Sequence, residues 1–395
     1  MISTPRHPPS ICLIGVSGYA TVYIDWLLEA HAAKRIQIAA VVAPKREQNS
    51  PAAKSLQALG AKLYDDYQSL FDEWSGKIDL CFIPTGIQWH ARMAITALKA
   101  GCNVLVEKPL AGSVADAESV QNAEKETGRW VAVGFQDMYT DELKNLKQSL
   151  LDGLIGPIRS VAMLGLWPRP GTYYQRNHWA GRLVADDAQV LDSPLNNAFA
   201  HFVNLSLFFA GPKLYESQKA TVTKAQLYRA HDIESFDTAV VHAVGANGTR
   251  FWFGVCHACE ATREPSIRIT GDRGTVEWRH EQRCEIKING ESIRYEPVPN
   301  YETTRRTMFD TVLARLTSPD TPICDTGIAI CHTALIESIH RAAEVVTVND
   351  AQIDSIARPD NDSHVPAIRN IDKQLAAAFE SLGVLDGIET QPVEI

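Results

Sequence analysis

The stretch ICLIGVSGYATVYIDWLL, residues 11–28, decides the fold. An apolar run without polar interruption meets a turn of small residues, and Ala20, Tyr23, Ile24, Leu27 and Leu28 then recur at helical i, i+3, i+4 spacing. A strand that is apolar on both faces and feeds an amphipathic helix opens a βαβ unit. Working outward, IQIAAVVA, IDLCFI, NVLVEKP and WVAVGF are further buried strands with helical segments between them. Ser50 before Pro51 is an N-cap followed by proline at the first helical position, and Gly60 closes that helix. A helix from about Trp89 to Ala100 ends at Gly101, and another opens at Ser113. Residues 11–137 therefore predict a Rossmann-type α/β domain, a doubly wound parallel sheet whose ligands sit beyond the carboxyl ends of the strands. Residues 1–10 precede it as a tail.

The first strand-to-helix turn carries Gly15, Ser17, Gly18, Tyr19 and Ala20, in the place of a G-x-G-x-x-G/A dinucleotide fingerprint with Ser17 at its second glycine. Gly15 allows a tight turn, Ser17 and Gly18 let the backbone approach a pyrophosphate, and Ala20 keeps helix and strand close. The helix N-terminus adds N–H groups and the positive end of its dipole. An NAD site ordinarily has an acid at the end of the second strand for the ribose 2′-hydroxyl, whereas here Lys45 and Arg46 stand there with no acid before Glu47. Both suit a 2′-phosphate, so NAD or NADP is expected, with NADP slightly favoured. A solvated basic loop is the plainer reading of the same pair.

After about residue 140 the grammar changes: strands follow one another, and Asn247-Gly248 and Asn289-Gly290 are hairpin cues between apolar or alternating runs. Residues 138–350 therefore read as an α+β domain with a largely antiparallel open sheet. Two late helices, near 304–316 and 329–346, cover that sheet or pack back on the first domain. Residues 351–395 form an extension in which RPDNDSHVP is linker-like and the stretch from Ile371 to Leu382 is a docked helix.

AGCNVLVEKPL places Glu107, Lys108 and Pro109 at the carboxyl end of a parallel strand, after a segment with Pro84, Thr85 and a helix-opening His90. Further on, VLDSPLNNAFAHFVNLSLFFAG carries Asn197 and His201. In this order the sequence resembles the glucose–fructose oxidoreductase and inositol dehydrogenase family of nicotinamide-dependent oxidoreductases, over roughly residues 11–350. The resemblance implies that Lys108 lies between nicotinamide and substrate, and that Glu107 and Pro109 shape its loop. It sets Pro84, Thr85 and His90 on the cofactor side and Gln136 near the nicotinamide. Where the family has Asp four residues before His, this chain has Asn197 before His201, on what reads as one helix face. His201 is then the proton acceptor when an alcohol is oxidised. Asn197 still hydrogen-bonds a hydroxyl but carries no charge. The family often pairs through the exposed face of its second-domain sheet, which implies a homo-oligomer, dimer or tetramer.

The loop LWPRPGTYYQRNHWAGRLVADDAQVLDSP is rich in aromatic and hydrogen-bonding residues. Tyr173, Tyr174, Arg176, Asn177, His178, Trp179 and Arg182 suit a polyhydroxylated ring, since aromatic faces stack on C–H surfaces while amide and guanidinium groups read hydroxyls. Such a loop also serves merely to pack domains or line an oligomer contact.

Composition bounds the partners. The 395 residues are 45% hydrophobic and 22% charged, which are globular proportions, and the net charge of −9 with scattered basic residues argues against nucleic acid or an anionic membrane surface. No apolar run is long enough to span a bilayer and the first residues lack a secretory h-region, so a cytoplasmic location is expected. Eight cysteines in so long a chain are no disulfide framework. Cys256 and Cys259, in CHAC, are expected to pack in the core rather than hold a metal. The leading expectation is hydride transfer between nicotinamide and a secondary alcohol or ketone of a sugar, cyclitol or sugar derivative. Two alternatives stand beside it: a redox-assisted glycosidase or lyase that retains its cofactor, and a non-catalytic nucleotide-sensing regulator.

Overall fold

The structure is a computed structural model that describes residues 8–358 and 363–391. Most of the expected tail, residues 1–7, lies outside the described residues. The chain divides into two compact units, one running up to Tyr139 and including Glu302–Ile330, the other comprising Thr140–Tyr301 and the chain from Cys331 onward. The expected continuous second domain over 138–350 is therefore interrupted, because Glu302–Ile330 returns to the first unit. The helix Tyr301–Arg315 sets Phe309 against Trp26 and Phe82, with ring centroids 5.7 and 5.8 Å apart. Cys324 O accepts the N–H of Val133 at 2.8 Å.

In the first unit, β1 (Ser10–Ile14), β2 (Gln37–Val42), β3 (Lys62–Tyr64), β4 (Leu80–Ile83), β5 (Asn103–Val106) and β6 (Val131–Val133) form one sheet in the order β3-β2-β1-β4-β5-β6. Every pairing is parallel. Ile11, Cys12 and Leu13 are wholly buried, as a strand covered on both faces must be. The short β3 carries too few residues for a periodic signal, and the sequence did not reveal it. Between the strands lie α1 (Ala20–Ala32), α2 (Pro51–Ala58), α3 (Tyr67–Trp74), α4 (Ile87–Lys99) and α5 (Val114–Thr127). Ser50 Oγ accepts the N–H of Ala53 at 3.2 Å and Ser113 Oγ that of Asp116 at 3.1 Å, each satisfying a donor the helix itself leaves open. Strand order reverses between β1 and β4, which makes the turns after these two strands the switch point where such sheets bind ligands.

The second unit is built on a nine-stranded sheet. Its strands run in space as Glu291–Pro297, Arg283–Ile288, Gly274–Arg279, Arg263–Gly271, Ile158–Leu166, Arg250–Cys256, Thr238–Gly245, Ala220–Arg229 and Val345–Thr347. It is mixed: Ile158–Leu166 pairs parallel with Arg250–Cys256, Ala220–Arg229 pairs parallel with Val345–Thr347, and the other pairings are antiparallel. Gly248 (φ 83°), Asn289 (φ 51°) and Gly290 (φ 87°) take the left-handed conformations their hairpin turns require. The second late helix ends at Ala342, and the residues expected to continue it give the edge strand Val345–Thr347 instead.

Side chains alternate across this sheet. A Cβ on Gly165 would meet the Phe199 ring at 2.6 Å on one face. On the other, Ala162, Leu164, Leu166 and Trp252 join Ile371, Leu375 and Phe379 of the helix Ile371–Ser381 in one buried cluster. Trp252 Nε1 and His242 Nε2 both reach Gly383 O, at 2.8 and 3.0 Å. The stretch read as a linker is a two-stranded hairpin, Ile353–Arg358 with Ser363–Ile368, whose tip at 359–362 lies outside the described residues. Among the described residues no helix is long and apolar enough to cross a membrane.

Candidate active site

The turn after β1 has the backbone its sequence demands. Gly15 (φ 105°) and Gly18 (φ 59°) are left-handed, and an added Cβ on Gly15 would lie 3.8 Å from that of Ala20, so strand and helix meet closely. Gly15 N–H donates to Val42 O at 2.9 Å. Among the described residues no side chain caps α1 and no acid stands in its first turn, an arrangement that suits an anion at its positive end. Ser17 is exposed and Tyr19 half-buried.

Two more loops meet at the carboxyl edge. His90 is wholly buried, with Nδ1 2.7 Å from Pro109 O and Nε2 3.0 Å from Thr85 O. Burial pushes its pKa down to about 4, so the ring is neutral and donates to one of these two carbonyls. It thereby ties the loop after β4, with Pro84 and Thr85, to the loop after β5. Glu107 is buried beside it. Tyr23 OH donates to Glu107 Oε1 at 2.5 Å, and Lys108 N–H to Oε2 at 3.1 Å. Burial raises the Glu107 pKa, against the pull of the Tyr23 hydrogen bond and the positive charges of Lys108 and Arg305. A Cβ on Gly134 would lie 2.9 Å from Glu107 Oε1, so only glycine fits beside this carboxylate. Tyr23, read from sequence as a core residue of α1, is thus part of the Lys108 loop's support.

Gln136 is fully buried, and neither atom of its amide has a partner among the described residues. Lys45 and Arg46 are 85% and 84% exposed on the loop after β2. Lys45 Nζ lies 3.3 Å from Asp65 Oδ2 and Arg46 Nε 3.5 Å from Glu47 Oε1. The acid missing from the end of β2 is therefore approached from the residue after β3.

In the second unit His201 lies in the first turn of the helix Ala200–Phe209 and is buried, its ring 6.2 Å from that of Tyr301. Asn197 is not on that helix, a correction to the expected shared helix face. Residues 194–199 are turns, held by Asn197 N–H to Ser193 O at 2.9 Å and Phe199 N–H to Pro194 O at 2.8 Å. Asn197 Nδ2 donates to Asp192 Oδ1 at 2.9 Å, while Asp192 Oδ2 accepts Gly181 N–H at 2.6 Å. The carboxylate that the sequence pattern lacked at 197 is supplied next to it by Asp192, buried to 2% exposure and missed because its side chain folds back from five residues upstream.

The polar loop divides in two. Tyr173 and Tyr174 sit on a short helix, Gly171–Tyr174, and the Arg176 guanidinium lies 3.8 Å from the Tyr173 ring and 5.5 Å from that of Trp179. Tyr174 OH lies 3.0 Å from His257 Nδ1. The others hold the loop itself: Asn177 Oδ1 accepts the N–H groups of Trp179 and Ala180 at 3.1 and 2.8 Å, His178 pairs with Asp186, and Arg182 pairs with Glu234. Beneath lies a pair the sequence did not disclose, His231 Nδ1 to Asp237 Oδ2 at 2.7 Å, both buried. Burial disfavours the charged ring, but the Asp237 hydrogen bond and charge outweigh it and raise the pKa. Cys256 and Cys259 are core residues: Cys259 Sγ points at Cys256 O, and Cys256 Sγ meets Thr238 Oγ1 at 3.1 Å.

A glycine-bent turn before an uncapped helix, at the switch point of a six-stranded parallel sheet, defines a dinucleotide-binding α/β domain. Residues 10–135, about a third of the chain, match the model of the oxidoreductase family with an NAD-binding Rossmann fold. Inositol 2-dehydrogenase of Salmonella paratyphi B is 36% identical over 106 residues, 27% of this chain and 31% of that one. A dTDP-3,4-didehydro-2,6-dideoxy-alpha-D-glucose 3-reductase of Streptomyces antibioticus is 29% identical over 185 residues, 46% of this chain and 54% of its own. The chain thus aligns with about a third to a half of these curated relatives. Among solved structures, the WlbA dehydrogenase of Bordetella pertussis, in complex with NADH and UDP-GlcNAcA, matches with a TM-score of 0.69 at 21% identity, covering 85% of this chain and 97% of that one. A 3-ketoreductase of Actinomadura kijaniata, in complex with NADP and TDP-benzene, matches at 0.67 and 16% identity, covering 87% and 100%. At such identities these likenesses show that the fold is shared over both units.

Proposed function

We propose that this protein is an NAD(P)-dependent oxidoreductase acting on a secondary alcohol, or its ketone, of a sugar, cyclitol or sugar derivative. The observation that carries the reading is the bond from Tyr23 to Glu107, which fastens the helix of the dinucleotide turn to the loop that bears Lys108. The residues fit the cofactor: Gly15 and Gly18 give the turn its left-handed bends, and α1 begins without a competing cap or acid. Gly15, Ser17, Gly18, Tyr19 and Ala20 would hold the pyrophosphate. Pro84, Thr85, His90, Glu107 and Pro109 would form the adjoining wall, and the Gln136 amide, whose two atoms have no partner among the described residues, suits a carboxamide. Lys45 and Arg46 favour NADP, with a 2′-phosphate displacing their weak surface pairings to Asp65 and Glu47.

Bound nicotinamide supplies or accepts the hydride. His201 takes the hydroxyl proton when an alcohol is oxidised and returns it in the reverse direction, and the Lys108 ammonium can offset developing negative charge. Asn197, oriented by Asp192, donates a hydrogen bond to the substrate without adding charge. Tyr173, Tyr174 and Arg176 contact the ring. The test is absorbance at 340 nm over a panel of sugars and cyclitols with each cofactor. Lys108→Ala and His201→Ala should each abolish turnover and leave cofactor affinity within a few fold, whereas unchanged turnover in both overturns the assignment. Lys45→Ala with Arg46→Ala should weaken NADP at least about tenfold and leave NAD alone, the worth of one charge-assisted phosphate contact.

A further inference from the structure

The second unit carries two arginines, Arg169 and Arg176, that make no ion pair among the described residues. Arg169 follows the strand Ile158–Leu166 and Arg176 follows the short helix Gly171–Tyr174. Their guanidinium carbons lie 5.0 and 3.8 Å from the ring centroid of Tyr173, so both lie against one aromatic side chain. Arg169 also stands 5.6 Å from the Trp167 ring. That indole stacks on Phe199 at 4.7 Å and meets Phe202 edge-on at 6.0 Å, and Phe202 lies 6.5 Å from the His201 ring. One aromatic layer therefore runs from the arginines to the helix of His201.

A guanidinium stacked on a ring keeps its N–H edge for a planar anion, and in most folds an acid occupies it. Among the described residues neither arginine has a carboxylate within ion-pair distance. Arg176 Nη1 donates to Tyr173 O at 2.6 Å. Arg169 Nε is buried and has no partner among the described residues. Below them, His257 is 1% exposed; its Nδ1 meets Tyr174 OH and its buried Nε2 has no partner among the described residues. Burial, and then the Arg169 charge, hold the His257 pKa well below its usual value, so that ring is neutral. The carboxylate felt at Tyr173 is that of Asp192, and its two oxygens accept from Asn197 and Gly181.

We propose that Arg169 and Arg176 bind an anionic group on the substrate, so that the sugar or cyclitol taken here is an acid, carrying a carboxylate or a phosphate. Neither a neutral polyol nor packing requires two guanidiniums without an ion pair against one ring, and a buried Nε–H with no partner among the described residues is an unmet cost until an acceptor arrives. The inference rests on the oxidoreductase reading only for the ring that bears the anion.

The test is calorimetric titration of the purified full chain with D-glucuronate, D-galacturonate, glucose 6-phosphate and myo-inositol phosphate, each against its neutral parent. At least one acid should bind tenfold or more tighter than its parent, and the carboxylate and phosphate arms show which anion is read. Arg169→Gln and Arg176→Gln should each reduce that preference below threefold, with NADP affinity unchanged within twofold. Arg176 is exposed, so its variant keeps the test valid if Arg169→Gln melts early. Equal binding of acids and parents, failure of every acid to bind, or a preference that survives in both variants overturns the inference. Failure of the oxidoreductase reading shows separately, as absence of nicotinamide cofactor binding, because the anion preference is read without cofactor.

Discussion

Tyr23 and Glu107, 84 residues apart, share a buried hydrogen bond of 2.5 Å that joins the helix of the dinucleotide turn to the strand end bearing Lys108. Burial raises the pKa of this carboxyl, so part of its ionised form is held in place by the phenol. Tyr23→Phe removes that donor and should cost about 1–3 kcal/mol of stability. The sign with pH follows. A raised folded-state pKa means the folded protein binds the proton more tightly than the unfolded chain, so the cost of ionised Glu107 sets in as pH rises through the unfolded value toward the folded one. The variant raises the pKa further, and its loss of Tm should be larger at pH 7 than at pH 4. Equal losses at both pH values would show that Glu107 stays protonated throughout.

Asn197 Nδ2 lies 2.9 Å from Asp192 Oδ1, so Asn197→Asp sets two carboxylates face to face. The pair cannot both ionise cheaply, and one pKa must rise. At pH 7 the variant should lose about 2 kcal/mol or more, and the deficit should shrink as the pH falls and the pair takes up a proton. Adding Asp192→Asn should restore the melting temperature by exchanging the partners. Thermal melts from pH 5 to 8 on the single and double variants check this.

Lys147 is buried with Nζ over the Phe208 ring at 3.8 Å and a hydrogen bond to Glu216 O of 2.5 Å. Burial pushes its pKa down to about 7. Between that value and the ordinary one of about 10.4 the unfolded chain binds a proton that the folded one does not, so stability rises with pH, by about 1.4 kcal/mol per unit from this group. Lys147→Met removes this slope. Urea unfolding of both proteins between pH 7 and 9.5 should show the parent gaining on the variant as the pH rises. A constant difference would mean that ring face and carbonyl keep the ammonium charged.

Phe379 packs edge-on against Trp252 at 5.8 Å and carries the Arg268 guanidinium at 4.4 Å, itself paired with Glu380 at 2.8 Å. Phe379→Ala should cost about 3–5 kcal/mol, as buried aromatic truncations do. The bared sheet face includes Trp252, Leu164 and Leu166, so the variant should also self-associate as concentration rises, which size-exclusion chromatography reads.

The parallel sheet was legible because its signal is local: runs such as ICLIGV and IDLCFI state their burial within six residues, and Gly15, Ser50 and Gly60 punctuate them. Long-range partnership was not legible. Nothing in YETTRRTMFDTVLAR says that Phe309 seeks Phe82 rather than the nearer sheet. The strands at 353–358 and 363–368 were concealed by a polar, proline-bearing tip that reads as linker. At the candidate site, His201 and Lys108 were singled out by the resemblance. The helix face expected of Asn197 was misjudged, because its environment depends on the backbone turn at 193–199 that folds Asp192 back onto it.

The return of Glu302–Ile330 to the first unit has a consequence for how the protein is made. The nascent chain emerges from its amino end, and β6 must wait some 190 residues for Cys324 to offer its carbonyl to Val133. The strand Ile158–Leu166 waits longer still for the helix Ile371–Ser381. Neither unit can close on the ribosome in the order in which it is spelled, so both hold open apolar faces through most of synthesis. Escape from aggregation during that interval, rather than the final stability, is what chaperone supply and growth temperature should govern in its recombinant yield.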